Sequence, residues 1–578
     1  MRNDGWTFEV WAPRADSVEA EIGGTRHRMR RTGERGWWSA TVPGAGHGTD
    51  YAFIVDGDGP YPDPMSRRQP EGVFGPSRVY DHDRFTWSDH DWRGRDLRGA
   101  VIYEMHVGTF TVGGTFAEAV RRLDHLVELG VDFVELLPVP PVPGRHNWGY
   151  DGVDLWAVTE NYGGPDGLKI FVDACHRAGI GVILDVVYNH LGPSGNFLQP
   201  FGPYFHESLG SFWGKAVNLD GPGSDEVRRY IIGNALSWLR DFHIDGLRLD
   251  AVHALHDKRA VHLLEELTVE ADLLAVSLGR PLLLIAESDL NDPRLVTPRD
   301  AGGYGLDAVW DDDVHHALHA ALTGERHGYY GDFGSMAVLA KTLTSAYLHD
   351  GTYSSFRGRG HGRPAWHIPG YRFVAALQNH DQIGNRAEGD RLPGELLRVG
   401  AGLLLTSPFT PMLFMGEEWG ARTPFLFFTD HVEPELAEGE AERRRREFVD
   451  HGYDDWAAKA PDPQDETTFL RSKLDWSELE HDSHRSLLNW YRDLIALRRA
   501  LPELTDPRLR EVAVDFDEDA RWLVVRRGTL RVAANLGADP VDLPLPHSRV
   551  LLASDEDITH DFARVTLPAM SLAILKAP

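Results

Sequence analysis

Gly246-Leu247-Arg248-Leu249-Asp250-Ala251-Val252-His253 reads as a short buried strand, yet it carries two opposite charges. Side chains of an extended chain alternate between faces, so Arg248 and Asp250 fall on one side and Leu247 and Leu249 on the other. An unpaired guanidinium or carboxylate is costly to bury, so the charged side is expected to border a polar cleft at the strand's carboxyl end. For an isolated Arg-x-Asp the competing reading is an ion pair inside a sheet. The surrounding sequence decides between them.

Working outward, a helical pattern over Asp225–Phe242 precedes this strand, and Pro281–Glu287 follows it as another short apolar run. The same alternation extends in both directions. Val101–Val107, Val131–Val139 and Gly181–Val187 read as earlier strands, and Ala308–Asp311, Arg372–Leu377 and Pro411–Met415 as later ones. Between the first strands, Thr115 with Glu118 forms a capping-box pattern opening a helix that runs to Gly130, and Gly164-Pro165 opens another that ends at Gly179. Eight strand-helix repeats predict an α/β chain folded as a (β/α)8 TIM barrel, with a doubly wound open sheet as the alternative. An irregular excursion occupies 191–223.

The barrel is expected over 91–505. Residues 1–90 alternate apolar and polar in short pieces separated by Gly and Pro, which predicts an immunoglobulin-like β-sandwich. Its Trp6, Trp11, Trp37 and Trp38 are assigned to core and sheet-face packing rather than to a sugar-stacking patch. Alternation returns in 506–578, as in Trp522-Leu523-Val524-Val525-Arg526, and predicts a C-terminal all-β domain. Val399–Gly416 lacks charge, but Pro408 and Pro411 divide it into a helix end, a turn and a strand rather than a membrane span. Arg443–Arg446, set among glutamates, reads as part of a solvated helix rather than a phosphate or nucleic-acid patch.

With 88 acidic against 59 basic residues the formal charge is −29, which argues against nucleic acid or an anionic membrane as partner. The single cysteine, Cys175, excludes an intramolecular disulfide and thiolate metal clusters and reads as a small buried apolar residue. The first residues lack the apolar core of a signal peptide, so a cytoplasmic location is expected.

In a barrel of this kind the functional face lies at the carboxyl ends of the strands. Those ends carry Asp185-Val186-Val187-Tyr188-Asn189-His190, Arg248 to His253, Glu287-Ser288, Asp311-Asp312-Asp313-Val314-His315-His316 and Gln378-Asn379-His380-Asp381-Gln382. Carboxylates and imidazoles suit several divalent ions, but no His-Glu-x-x-His or comparable ligand spacing occurs, so neither a metal nor another cofactor is expected.

Taken together and in this order, the segments resemble the conserved regions of the α-amylase family of glycoside hydrolases, over nearly the whole chain. The resemblance implies Asp250 as nucleophile, Glu287 as general acid/base and Asp381 as transition-state stabiliser, with Arg248, His190 and His380 positioning Asp250 and the sugar. It also implies that Tyr150 stacks under the sugar at the cleavage point. The residue types suit a retaining glycosidase, in which one carboxylate attacks the anomeric carbon while the other protonates the leaving oxygen.

Narrower runs, His146-Asn147-Trp148-Gly149-Tyr150-Asp151-Gly152-Val153 and Gln378 to Arg386 among them, are similar to the trehalohydrolases that act on maltooligosyltrehalose. That likeness implies maltooligosyltrehalose as substrate, cleaved at the α-1,4 bond beside its terminal trehalose. Trp213 is then a candidate platform beside the trehalose. His253, Asp312, Asp313, His315, His316, Gln382 and Asn385 are candidates for binding sugar hydroxyls. Trp156-Ala157-Val158-Thr159-Glu160 departs from the Tyr-Ala-Pro run expected there. The rival readings are a glucan branching enzyme, a debranching hydrolase, and a glucan-binding protein without catalysis. A monomer or small homo-oligomer is expected.

Overall fold

The computed structural model describes residues 5–211, 214–450, 456 and 459–578 of the chain. Its centre is a closed barrel of eight parallel strands: β1 (Ile102–Met105), β2 (Phe133–Leu136), β3 (Gly181–Val186), β4 (Gly246–Leu249), β5 (Leu283–Ala286), β6 (Ala308–Trp310), β7 (Phe373–Ala376) and β8 (Thr410–Phe414). β8 pairs back onto β1 through Met412 opposite Ile102, and this closure excludes the open doubly wound sheet. The strands are shorter than their apolar runs because pairing stops where the chain turns outward to the next helix.

Strand parity layers the interior. Ile102, Phe133, Ile183, Leu283 and Ile285, with Ala308 and Trp310, make an apolar cluster inside the barrel. Nearer the carboxyl ends of the first strands the inward positions turn polar, with Glu104 beside Glu135 and Asp185 beside Arg248 in the strand register. Leu247 and Leu249 face the surrounding helices, so the parity read from sequence holds.

Helices occupy their expected places at Gly164–Arg177 and Ser224–Asp241. The predicted helix from Thr115 to Gly130 is instead two short ones, Phe116–Val120 and Leu123–Leu129. Thr115 Oγ1 caps the first by accepting from Glu118 N at 3.3 Å, and the Glu118 carboxylate turns to Arg121 at 2.6 Å. Gly130 ends the second in the left-handed region, φ 93°, a conformation that costs glycine little. The uncharged run at 399–416 divides as read, into the end of helix Gly394–Leu405, a turn and β8.

The N-terminal residues form two facing antiparallel sheets, of three and five strands. Trp11 and Trp38 are buried in their core. Trp11 meets Tyr204 of the excursion edge-on at 5.3 Å, and Trp37 Nε1 donates to Glu226 Oε2 at 3.0 Å, so the tryptophans pack the sandwich onto the barrel. Toward the C-terminus a five-stranded and a three-stranded antiparallel sheet follow the long helix Asp482–Ala500. Arg527 fastens them to the barrel by donating to the Thr406 carbonyl at 2.8 Å. Cys175 is a free, buried thiol whose pKa burial pushes up. Among the described residues no helix is long and apolar enough to cross a membrane.

Candidate active site

A cleft of about 570 Å³ opens at the carboxyl ends of the strands, where the polar layer of the barrel reaches solvent. Asp250, Glu287 and Asp381 all line it, with Tyr150, His190, His253, Asp312, His316, His380, Gln382 and Asn385. A larger opening of about 790 Å³, beside Trp419 and Arg422, holds none of the candidates drawn from the strand ends.

Arg248 lies wholly buried beneath the cleft floor and does not line it. Its Nη1 donates to both Asp185 oxygens, at 3.0 and 2.9 Å, and to Asp250 Oδ1 at 2.8 Å. The guanidinium rests 4.3 Å from the centre of the Trp310 ring, which shields these pairs from water. Asp250 takes a second short bond from Asn189 Nδ2, at 2.7 Å to Oδ2, so both oxygens are fixed. Burial raises the Asp185 carboxyl to about 7, although Arg248 opposes the shift.

The chain leaves β4 through Ala251, held in the left-handed region at φ 40°, and the Ala251 amide donates to Glu287 Oε2 at 2.6 Å. Arg248 Nη2 stands 3.7 Å from the same oxygen. One guanidinium is therefore flanked by Asp250 and Glu287, but only Asp250 bonds to it. Burial pushes the Glu287 carboxyl upward; Arg248 counters this, and the negative charges of Asp250 and Asp381 add to it. Two carboxyls, one clamped as an acceptor and one whose pKa is pushed upward, can divide the roles of nucleophile and acid.

β7 ends in a short helix, His380–Gly384, that carries Asp381. His380 is buried, with its backbone N and Nδ1 on Glu104 at 2.9 and 2.5 Å and its Nε2 2.8 Å from the Tyr150 hydroxyl. Burial alone would depress this imidazole, but Asp381 and Glu104 outweigh it and hold the pKa at about 9. A charged ring donates from both nitrogens, leaving the Tyr150 hydroxyl to donate to Asp185 Oδ2 at 2.5 Å. His190 sits between Asn189 Oδ1 at 2.6 Å and the Tyr150 carbonyl at 3.0 Å.

The strand-six candidates divide. The sequence reading treated them as a strand end, but a helix, Asp312–Thr323, starts directly after Asp311. Asp312 and His316, about one helical turn apart, line the cleft, whereas Asp313 and His315 do not. Asp313 Oδ2 instead accepts from Asn291 Nδ2 at 2.9 Å and the Leu348 and His349 amides at 2.8 and 3.0 Å. His315 lines a separate cavity with His319 and Gln378. Neither Asp313 nor His315, both expected at sugar hydroxyls, lines the cleft that holds Asp250, Glu287 and Asp381. Trp213 lies outside the described residues.

Two walls were missed. One comes from the insertion before β7, where Tyr329 stacks on His316 at 4.7 Å and Phe356 meets Tyr329 edge-on. Arg357 there donates to Asp289 Oδ2 at 2.8 Å. The other wall is the helix Pro434–Asp450, which presents Leu436, Glu440, Arg443 and Arg444 to the cleft. The expectation of a fully solvated helix is therefore corrected: Arg445 and Arg446 are exposed, but Arg444 is buried. The spacing of 436, 440, 443 and 444 was the available signal, since these positions share one helical face. The departing run at 156–160 is packing: Trp156 is buried and its ring lies 6.1 Å from that of Tyr230.

Comparison with known proteins gives a consistent result. Residues 74–201 match the alpha amylase catalytic domain, residues 1–69 carbohydrate-binding module 48 (isoamylase N-terminal domain), and residues 507–574 a domain of unknown function, DUF3459. A malto-oligosyltrehalose trehalohydrolase from Arthrobacter ramosus is 58% identical over 95% of this chain and 96% of its own. One from Rhizobium sp. (strain M-11) is 54% identical over 98% and 97%. The crystal structure of a putative alpha amylase from Salmonella typhimurium superposes with a TM-score of 0.90 at 38% identity, covering 99% of this chain and 97% of that one.

Proposed function

Because this chain belongs to the malto-oligosyltrehalose trehalohydrolases, glycosidases of the α-amylase family, we propose that it hydrolyses the α-1,4 bond next to the terminal trehalose of maltooligosyltrehalose, with the roles divided as follows. Asp250 attacks the anomeric carbon, forming a glycosyl ester, while Glu287 protonates the glycosidic oxygen and trehalose departs. Glu287, now a carboxylate, takes a proton from water. That water attacks the anomeric carbon and displaces Asp250, releasing the shortened maltooligosaccharide with its α configuration retained. Asp381 favours the positive charge that develops on the sugar ring between these states.

The observation that carries this reading is the unequal treatment of two carboxyls at one guanidinium. Arg248 and Asn189 aim both Asp250 oxygens, while burial pushes the Glu287 carboxyl upward. Tyr150, His190 and His380 form the floor that orients the sugar. His253, Asp312, His316, Gln382 and Asn385 are assigned to its hydroxyls, and Tyr329 and Phe356 add apolar faces of the kind sugars stack on. A branching enzyme would use the same carboxylates, but the Gln382-Ile383-Gly384-Asn385 run after Asp381 favours the hydrolase.

We assign the sandwich to 1–90, the catalytic domain to 91–505 and the terminal β domain to 506–578. The acidic surface supports a protein without nucleic-acid or membrane partners. The lone free cysteine fits the cytoplasm, where trehalose synthesis from glucan would take place, and a monomer or small homo-oligomer is proposed. Incubating the protein separately with maltooligosyltrehalose and with a plain maltooligosaccharide of equal length, and separating the products, tests the reaction. Rapid trehalose release from the first and slow attack on the second are expected. New α-1,6 branches without trehalose would make the enzyme a transferase.

A further inference from the structure

Asp381 is the loosest of the three carboxylates: its side chain is 42% exposed, with His380 Nε2 at 3.5 Å and Asn385 Nδ2 at 3.4 Å from Oδ1. Asp381 and Asn385 are four residues apart across a single helical turn, closed by the Asn385 amide on the Asp381 carbonyl at 2.9 Å, so their side chains share a face. A carboxamide has two unlike ends. With its N–H2 toward Asp381 it donates to the carboxylate, and turned over it would set oxygen against oxygen.

Arg444 decides which end is presented. Its Nη1 donates to Asn385 Oδ1 at 2.7 Å and its Nη2 to the Gly384 carbonyl at 2.6 Å, so one planar fork spans two adjacent residues. The guanidinium also lies 5.0 Å from the Phe427 ring centre and 4.8 Å from that of Phe448. The helix bearing it is tied to the barrel rim, where Ser194 Oγ donates to the Glu433 carboxylate at 2.9 and 2.7 Å. The neighbouring Arg386 does not compete, since it is engaged with Glu325 at 3.0 Å and Asp390 at 2.8 Å.

We propose that Arg444 is a positioning residue for glycoside hydrolysis: by holding the carbonyl of Asn385 it aims the Asn385 N–H2 at Asp381 and sets that carboxylate beneath the reacting sugar. This rests on the role given to Asp381 above. It assigns a catalytic purpose to one residue of a helix whose outer face is merely solvated.

The test is a double-mutant cycle of Arg444→Met and Asn385→Ala, with Asp381→Asn as reference, each assayed on α-maltosyl fluoride. This activated donor reports the barrel's chemistry whether or not trehalose is the natural leaving group. R444M is expected to lower kcat about tenfold or more with little change in KM, and to lower it no further in the N385A background. Arg444→Lys, which keeps the cation but can serve only part of the fork, should fall between and replaces R444M in the cycle if that variant does not fold. Losses that multiply in the double variant, or a loss confined to KM, would overturn the relay and leave Arg444 an anchor of the helix. Unchanged turnover in D381N would instead overturn the role of Asp381 itself.

Discussion

Asp250 and Asp381 are both aspartates at the rim of the barrel, after β4 and β7, yet they are held in opposite ways. Asp250 is 13% exposed at its side chain and carries short bonds on each oxygen, from Arg248 at 2.8 Å and Asn189 at 2.7 Å. Asp381 stands open, with neighbours at 3.4 and 3.5 Å. A nucleophile must meet one carbon along one line, and misplacement is costly in rate. A group that stabilises developing charge works by already facing the place where that charge appears, and its hydrogen bonds can be long before substrate binds and tighten in the complex.

Amide replacements sharpen this contrast most. Asp250→Asn disables the proposed nucleophile and should lower kcat on the order of 10⁴-fold or more. Asp381→Asn removes one stabilising charge and should lower it about 10²- to 10³-fold. Equal losses in steady-state assays of purified variants would erase the distinction. Next in size is Asn189→Ala, which frees one oxygen of Asp250 and is expected to lower kcat about tenfold with KM nearly unchanged.

The pH profile probes the pair from the side of Glu287. As the proposed acid this residue must keep its proton, and burial raises its pKa, so kcat/KM should persist above the ordinary carboxyl range and decline on the basic side as Glu287 ionises. Asp381 contributes to that upward shift. In Asp381→Asn the basic limb should therefore move to lower pH, and a profile of unchanged shape would contradict the coupling. The smallest expected effect on rate is at Asp313. Asp313→Ala abandons three N–H donors and should cost about 1–3 kcal/mol of stability, read as a lower Tm, while kcat stays near that of the parent.

His380 adds a stability test. Its folded pKa, about 9, lies above the ordinary 6.5, so the stability it contributes is complete below 6.5 and is lost as pH rises through about 9. The Tm gap between the parent and His380→Gln should narrow between pH 6 and 10.

The sequence by itself determined the barrel and the identity of its rim. Strand parity told Arg248 from Leu247 and Leu249, and Asp250 and Glu287 directly follow strands whose apolar runs mark them, with Asp381 five residues past another. Those features are local, because a strand's period of two and its end are written in consecutive residues. Only the tertiary structure decided which strand-six residues face the cleft, since helix and strand are possible readings of Asp311 to His316 and they aim the same side chains differently. It alone also revealed that Arg444, nearly two hundred residues beyond Asp250, is buried against Asn385. A charged helix has the same local pattern whether its inner face meets water or a neighbouring loop, and that choice is made by packing between distant segments, which no short stretch of sequence encodes.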